Sequence, residues 1–94
     1  MYVLYSVKSD MYYVGITHNF SKRLYQHNHS PEKSFTSAHR PWTISAVFRC
    51  KSIEIASWCE QYIKQQKSRA FIEDVLLNPD SVHPLLSNLT KLVP

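Results

Sequence analysis

Two short runs of β-branched and aromatic residues at the start of the chain constrain its fold most strongly. Residues 2–7 (Tyr-Val-Leu-Tyr-Ser-Val) and residues 12–16 (Tyr-Tyr-Val-Gly-Ile) favour strands, and the Lys-Ser-Asp-Met between them favours a turn. This pattern predicts an antiparallel hairpin. If Tyr2 lies opposite Tyr13, both hydroxyls point to the same face of the sheet, because side chains alternate along each strand.

The next segment predicts a short amphipathic helix. Asn19 is a suitable N-cap for a helix over residues 20–28. At helical spacing, Phe20, Leu24 and the ring of Tyr25 are expected to face the sheet. The hairpin and this helix together would form the first half of the domain.

Residues 29–42 contain two prolines and several hydroxyl residues without regular periodicity, which predicts a functional surface loop. The elements predicted after the loop are a strand over residues 43–50, a helix from the N-cap Ser52 to about Gln66, and a second helix from the N-cap Ser68 to Asn78.

The C-terminal segment carries leucines at helical spacing after Pro84, namely Leu85, Leu86, Leu89 and Leu92. It is expected to fold back on the domain or to join another copy of the chain. The order β-β-α-β-α-α predicts an α+β fold in which helices flank a small three-stranded antiparallel sheet. We expect one domain over residues 1–78 and a tail over residues 79–94.

Composition limits the possible functions without deciding between them. A chain of 94 residues with 44% hydrophobic residues suits one small globular domain. A net charge of +4 favours an anionic partner, of which nucleic acid is the commonest, but solubility alone would also explain it.

Several classes of protein and site are disfavoured. Two cysteines, with no secretory segment and no apolar run of membrane-spanning length, predict an intracellular (cytoplasmic), disulfide-free protein with no membrane partner. The single glycine excludes Gly-rich phosphate loops and nucleophile elbows. The spacing of the histidines and cysteines does not match a zinc site.

Four elements of the sequence carry a family resemblance. Tyr-Val-Leu at 2–4, Tyr-Val-Gly at 13–15 and Lys-Arg-Leu at 22–24, followed by Glu60 on a predicted helix, resemble the GIY-YIG nuclease family. Ser-Phe-Thr at 34–36 and Arg-Pro-Trp at 40–42 are similar to its small stand-alone members. The resemblance covers about residues 2–75 and implies the same α+β architecture and metal-dependent hydrolysis of DNA phosphodiesters.

The resemblance also implies roles for five residues. Arg23 would bind the scissile phosphate, and Glu60 would be the sole protein ligand of one Mg²⁺ or Mn²⁺ ion. Either Tyr2 or Tyr13 would act as the base, with the other hydrogen-bonded to it. His27, four residues after Arg23 and on the same helical face, would be a hydrogen-bonding or proton-transfer partner.

Each residue taken singly has an ordinary alternative. Strand tyrosines often pack with their hydroxyls at the surface, Arg23 could share a solvated face with Lys22, and Glu60 could form a salt bridge with Lys64. The chain also lacks the first glycine of the signature and the asparagine that some members carry after the glutamate. The residues considered as substitutes for that asparagine are Gln61, Gln65 and Gln66.

The predicted nucleic-acid contacts are Lys22, Lys33, His39 and Arg40. Trp42 could stack on a base, although a core position is favoured for it. The expected partner is DNA, with a homodimer or a larger assembly also possible. A non-catalytic nucleic-acid-binding module and a protein-interaction domain that uses the leucine-bearing tail remain as alternatives.

Overall fold

A four-stranded antiparallel sheet with helices on both faces forms the core of the protein. The computed structural model describes residues 1–31, 33–79, 83, 86–87 and 89–93. In chain order, the elements are β1 (Tyr2–Ser6), β2 (Met11–Gly15), α1 (Phe20–His29), a 3₁₀ helix (Thr36–His39), β3 (Trp42–Arg49), α2 (Ile53–Gln65), α3 (Arg69–Leu77) and β4 (Thr90–Val93). The strand order is β2-β1-β3-β4.

The α+β prediction is therefore confirmed, but the prediction of three strands is wrong. The fourth strand comes from the C-terminal segment, where Lys91 pairs with Phe48 and Thr90 with Arg49. The leucine spacing in this segment suggested a helix. Hydrogen bonding to the free edge of β3 decides the conformation instead, because an edge strand offers unpaired backbone groups. Leu85 lies outside the described residues.

The predicted hairpin is confirmed, with a register that differs from the one considered above. Tyr2 lies opposite Gly15, and Tyr13 lies opposite Leu4. A shift of two residues preserves the side-chain face, since the strand repeat is two. The two tyrosines therefore still share one face of the sheet, with β1 between β2 and β3.

Side-chain caps fix the starts of all three α-helices, as the sequence predicts. Asn19 Oδ1 accepts a hydrogen bond from the Lys22 amide at 3.1 Å, and the Ser52 and Ser68 hydroxyls accept from the amides three residues later. Such caps satisfy backbone donors that have no partner within the helix.

The two faces of the sheet carry different layers. On the face of Tyr2, Leu4 and Trp42, α1 packs through Phe20 and Leu24. The opposite face is covered by α2, α3 and the C-terminal segment, through residues that include Cys59, Ile63, Val75, Leu86 and Leu89. Within the described residues, no helix combines the length and apolar character that crossing a membrane requires.

The expectation that Tyr25 faces the sheet is wrong. Its side chain is 65% exposed, and its ring lies against His29, with centroids 4.4 Å apart. Phe20, Leu24 and His27 follow the i, i+4, i+7 repeat of one helical face, whereas Tyr25 is rotated about 100° from Leu24.

Candidate active site

A buried tyrosine–histidine pair joins β1 to α1. The Tyr2 hydroxyl and His27 Nε2 are 2.9 Å apart, and both residues are only 2% exposed. The inward face of α1 places His27 over the central strand, where Tyr2 projects from the same face of the sheet. The pair is a hydrogen-bonded acid–base couple within the core.

Tyr13 completes an aromatic group around this pair. Its ring centroid lies 6.4 Å from that of Tyr2 and 5.0 Å from that of His27. The neighbouring positions of β1 and β2 bring it there. Both signature tyrosines and His27 therefore lie in one cluster. The two tyrosines share one face of the sheet, as the alternation of side chains along each strand predicted.

Gly15 is required because a side chain at this position would collide with the Tyr2 ring, and not because of its backbone conformation. A methyl group added at its Cα would lie 2.5 Å from the Tyr2 hydroxyl oxygen and 2.6 Å from Tyr2 Cζ. Any larger residue would push the Tyr2 ring out of its position opposite Gly15. The signature glycine thus leaves room for the ring of the signature tyrosine on the neighbouring strand.

Arg23 lies one turn before His27 on α1 and acts electrostatically on Tyr2. Burial raises the pKa of the Tyr2 hydroxyl above its ordinary value, a hydrogen bond from Arg23 opposes that rise, and the neighbouring Tyr13 and Glu60 add to it. Arg23 also donates from Nη1 to Gln26 Oε1 at 3.2 Å. The guanidinium is therefore within reach of the Tyr2 hydroxyl.

Glu60 approaches the tyrosines from α2. It forms the salt bridge with Lys64 that the sequence offered as an alternative to metal binding. Lys64 Nζ lies 3.3 Å from Glu60 Oε1, and the Glu60 side chain is 19% exposed. The same ammonium lies 5.2 Å from the centroid of the Tyr13 ring. Lys64 thus bridges the carboxylate and the aromatic cluster, a contact that the sequence analysis did not assign to this site.

The electrostatic surroundings keep His27 neutral near neutral pH. Burial first, and then the positive charges of Arg23 and Arg40, together lower the pKa of the imidazole from 6.5 to about 4. In the tautomer protonated at Nδ1, Nε2 accepts a hydrogen bond from the Tyr2 hydroxyl. His27 is thus a neutral hydrogen-bond acceptor for the Tyr2 hydroxyl.

Two of the predicted nucleic-acid contacts are engaged within the fold. Arg40 donates from Nε to the carbonyl of His27 at 2.5 Å and from Nη2 to that of Ser30 at 2.8 Å. His39 Nδ1 lies 2.7 Å from the Ser9 hydroxyl. Lys22 and Lys33 are exposed to solvent.

Trp42 occupies the core position that was favoured for it. It is 2% exposed, and its indole Nε1 donates to the Thr36 carbonyl at 2.8 Å. Among the glutamines considered as substitutes for the missing asparagine, Gln61 donates to Ser57 Oγ and Gln66 to the Tyr62 carbonyl, while Gln65 is exposed.

A polar hollow adjoins the Tyr2–His27 pair and includes residues that were not predicted as site residues. The residues that line it are Arg23, Gln26, His27, Ser30, Ser34 and Thr36. The only sequence signal for it was the concentration of hydroxyl residues in the loop after α1. That signal is ordinary for a loop and did not single out Thr36, which the fold buries.

Comparison with known proteins identifies the family of the chain. The family model described as the GIY-YIG catalytic domain matches residues 1–72. The chain is also similar to UPF0213 protein FN1575 of Fusobacterium nucleatum subsp. nucleatum, with 29% identity over 97 residues that cover 97% of this chain and 92% of the relative. No solved structure gives a significant match. Since the family model covers most of the chain, the protein belongs to the GIY-YIG family.

Proposed function

We propose that the protein is a divalent-metal-dependent endonuclease that hydrolyses DNA phosphodiester bonds. The observation that carries this proposal is the contact of Tyr2 and Tyr13 with His27, with Arg23 and Glu60 beside them, in a chain of the GIY-YIG family. These side chains supply the base, the cation and the carboxylate that phosphodiester hydrolysis needs.

Tyr2 is assigned as the base because its hydroxyl has an acceptor for its own proton. As a water attacks the phosphorus, a water proton moves to the Tyr2 oxygen and the Tyr2 proton moves to His27 Nε2, 2.9 Å away. The P–O bond opposite the attacking water breaks, and the leaving alkoxide takes a proton from solvent water. Arg23 offsets the negative charge that grows on the phosphate oxygens, and Tyr13 holds the Tyr2–His27 pair in place.

Glu60 suits a hard divalent cation such as Mg²⁺ or Mn²⁺. Within the described part of the chain, no group of three or more His, Cys, Asp or Glu side chains could hold a metal ion. A single carboxylate is still compatible with Mg²⁺, which often keeps several waters and binds through one or two carboxylates and substrate phosphates. When bound, the ion would supply charge stabilisation at the phosphate.

The Lys64–Glu60 ion pair favours a second candidate, a nucleic-acid-binding module of the same fold with little or no catalysis. In this alternative the ammonium, 3.3 Å from the carboxylate, takes the place of the metal charge. The aromatic cluster and basic residues would then bind DNA without hydrolysing it.

Plasmid cleavage separates the two candidates. Purified protein is incubated with supercoiled DNA in Mg²⁺, in Mn²⁺ and in EDTA, next to the variant Arg23→Ala. The nuclease proposal expects metal-dependent nicking that falls about 100-fold or more in Arg23→Ala, while circular dichroism shows a folded variant. DNA binding without nicking in either metal would support the module instead, and undiminished cleavage by Arg23→Ala would refute the assigned site.

A further inference from the structure

A groove runs along the outer edge of β2, next to the aromatic cluster. The residues that carry the argument for it are Tyr13 and Val14 of β2, Phe35 of the loop, and Ile63, Lys64 and Lys67 at and after the end of α2. We call it the β2-edge groove. Its volume of about 420 Å³ lies within the range of roughly 300–1,000 Å³ that is usual for small-molecule sites. The Lys64 ammonium contacts both the Tyr13 ring and the Glu60 carboxylate, so a ligand in the groove would lie beside the proposed active site.

Phe35 is the residue of this groove that core packing does not explain. Its side chain is 59% exposed, although it has no polar atom to interact with water. Its ring centroid lies 4.9 Å from that of His39 and 6.5 Å from that of Tyr13, and the Phe35 and Tyr13 ring planes differ by 30°. These contacts orient the ring and leave much of it open. An exposed and oriented aromatic ring is a stacking surface for a planar ligand.

Apolar side chains from both faces of the sheet line the groove. Val14 and Ile63 belong to the core on the α2–α3 face, whereas Tyr13 packs against the cluster on the opposite face. The groove therefore crosses the edge of the sheet, where β2 has no further strand among the described residues. Alternate residues of an edge strand turn their backbone N–H and C=O groups outward. A ligand in the groove thus meets apolar side chains and hydrogen-bonding backbone groups together.

The charged side chains of the groove are mainly positive. Lys64, Lys67 and Arg69 line it, and Asp10 is the only carboxylate among its described lining residues. Arg69 pairs with Asp10 at 2.8 Å, and Lys64 pairs with Glu60 at 3.3 Å. Lys67 is exposed and forms no ion pair with a described residue. Its ammonium is therefore available to an anionic group of a ligand.

The backbone at Lys67 does not require a lysine. Its φ of 48° is in the left-handed region, where a residue with a Cβ is strained and glycine is not. The Lys67 amide donates to the Lys64 carbonyl at 3.2 Å, a bond that any residue other than proline can make. The ammonium can thus be removed by Lys67→Gly while the turn after α2 is kept.

We infer that the β2-edge groove binds one nucleobase next to the scissile phosphate, with Phe35 stacking on the base and Lys67 pairing with a phosphate of the adjoining nucleotide. A nucleotide combines a flat apolar face, a hydrogen-bonding edge and a negative charge, and the groove has a partner for each. An acidic peptide paired with β2 would use the strand edge and the cations but not the exposed ring. The position beside the scissile phosphate rests on the proposed function, whereas binding of the base can be measured without cleavage.

Deoxyadenosine monophosphate (dAMP) is the probe, titrated into ¹⁵N-labelled protein in EDTA and followed by NMR. Deoxyribose phosphate and a hexaglutamate peptide are the comparison ligands that lack a base. We expect dAMP to perturb the amides of residues 11–14, 35 and 63–69. It should bind about fivefold to a hundredfold more tightly than deoxyribose phosphate, the range for stacking one base on an aromatic side chain. Equal binding of dAMP and either base-free ligand would overturn base recognition.

Variants at Phe35 test the stacking surface. Phe35→Leu keeps an apolar side chain but removes the ring, so most of the preference for dAMP over deoxyribose phosphate should disappear. Phe35→Tyr should retain the preference, because it keeps the ring. The matched control is Tyr25→Leu, which removes another exposed aromatic ring, on α1, and should leave the preference unchanged. With all variants folded by circular dichroism, equal preferences in Phe35→Leu and Tyr25→Leu would refute the inference.

Lys67→Gly tests the phosphate contact. It should weaken the binding of dAMP and of deoxyribose phosphate by a similar factor, since both carry the phosphate. The salt slope of oligonucleotide binding in EDTA should fall by about one, while urea unfolding shows no loss of stability. An unchanged salt slope would remove Lys67 from the site.

Cleavage assays distinguish failure of this inference from failure of the proposed function. If the protein cuts DNA but dAMP does not perturb the groove, the base site is refuted and the nuclease proposal stands. If dAMP binds in the groove through Phe35 but no metal supports cleavage, the base site is established and the nuclease proposal is refuted.

Discussion

At the scale of single residues, several opposing effects act on Tyr2. Burial raises the pKa of its hydroxyl, and Arg23 partly reverses that change. His27 gives its proton an acceptor, and Gly15 leaves room for its ring. A tyrosine is a poor base at its ordinary pKa of about 10, so the local acceptor and the local cation are what make its use as a base reasonable.

The two tyrosines should therefore respond differently to loss of the hydroxyl. Tyr2→Phe removes both the proposed base and the partner of a buried imidazole, so cleavage should fall about 100-fold or more and stability by about 1–3 kcal/mol. Tyr13→Phe should also lose activity, but less, and keep its stability. Single-turnover cleavage and urea unfolding check both variants; if Tyr2→Phe cuts DNA at the parental rate, Tyr2 is not the base.

A second prediction about individual side chains concerns the Mn²⁺ affinity of variants at Glu60 and Lys64. Glu60→Gln should lose Mn²⁺ binding and cleavage, since an amide is a weaker ligand for a hard cation. Lys64→Met should strengthen Mn²⁺ binding about two- to fivefold, because it removes an ammonium that competes for the carboxylate in a partly exposed pair.

Manganese titration followed by electron paramagnetic resonance measures both changes in the absence of DNA. Glu54→Gln, which alters an exposed carboxylate in the first turn of α2, is the matched control. Unchanged Mn²⁺ binding in Glu60→Gln would mean that the metal has another ligand. Weaker binding in Lys64→Met would mean that the ammonium supports the metal rather than competing with it.

Among the secondary structure elements, the C-terminal segment contributes more than its sequence suggests. It supplies β4 at the open edge of β3, and it places Leu86 and Leu89 in the core that covers the face opposite the site. The tyrosines, Arg23 and His27 of the site come from β1, β2 and α1, and Glu60 comes from α2. The described residues of the segment therefore support the sheet that carries the tyrosines.

Leucine truncations test this contribution. Leu86 is 0% exposed, so Leu86→Ala should cost about 2–5 kcal/mol of unfolding free energy. Leu77, at the end of α3, is 85% exposed, and Leu77→Ala should change stability by about 0.5 kcal/mol or less. Urea unfolding compares the two. Equal small effects would show that the segment is not part of the cooperative core.

For the molecule as a whole, the sequence predicts the features that depend on interactions between residues close together in the chain. Hairpin patterning gave β1 and β2 to within one residue, and serine and asparagine caps gave the starts of the helices. The pairing of β4 with β3 depends on a partner about forty residues away in the chain, which local spacing does not encode. Tertiary contact overrides the helical leucine pattern there.

The same distinction between short-range order and tertiary contact applies to the site. The motif identified Tyr2 and Tyr13, and the alternation of side chains placed them on one face, because both depend on short-range order. The polar hollow beside the Tyr2–His27 pair forms where α1 meets the loop that follows it, so its Thr36 hydroxyl was not predicted. Arg40 was predicted to contact nucleic acid, whereas its bonds to the α1 carbonyls arise from the path of the loop.

The stability of the whole molecule should depend on pH through His27. Its folded pKa of about 4 lies below its ordinary value of 6.5, because burial and the charges of Arg23 and Arg40 disfavour the imidazolium. The unfolded chain therefore binds a proton more readily below pH 6.5. The resulting contribution is complete above that pH and is lost as the pH falls towards about 4.

The difference between these two pKa values corresponds to about 3 kcal/mol of unfolding free energy. Urea unfolding between pH 7.5 and pH 4.5 should show a falling free energy for the parent and a flatter profile for His27→Gln, which has no imidazole to protonate. His18→Gln changes an exposed histidine and should keep the parental slope. A parental slope in His27→Gln would place the pH-sensitive group elsewhere, and His27 would then not be the neutral acceptor that the Tyr2 proton requires.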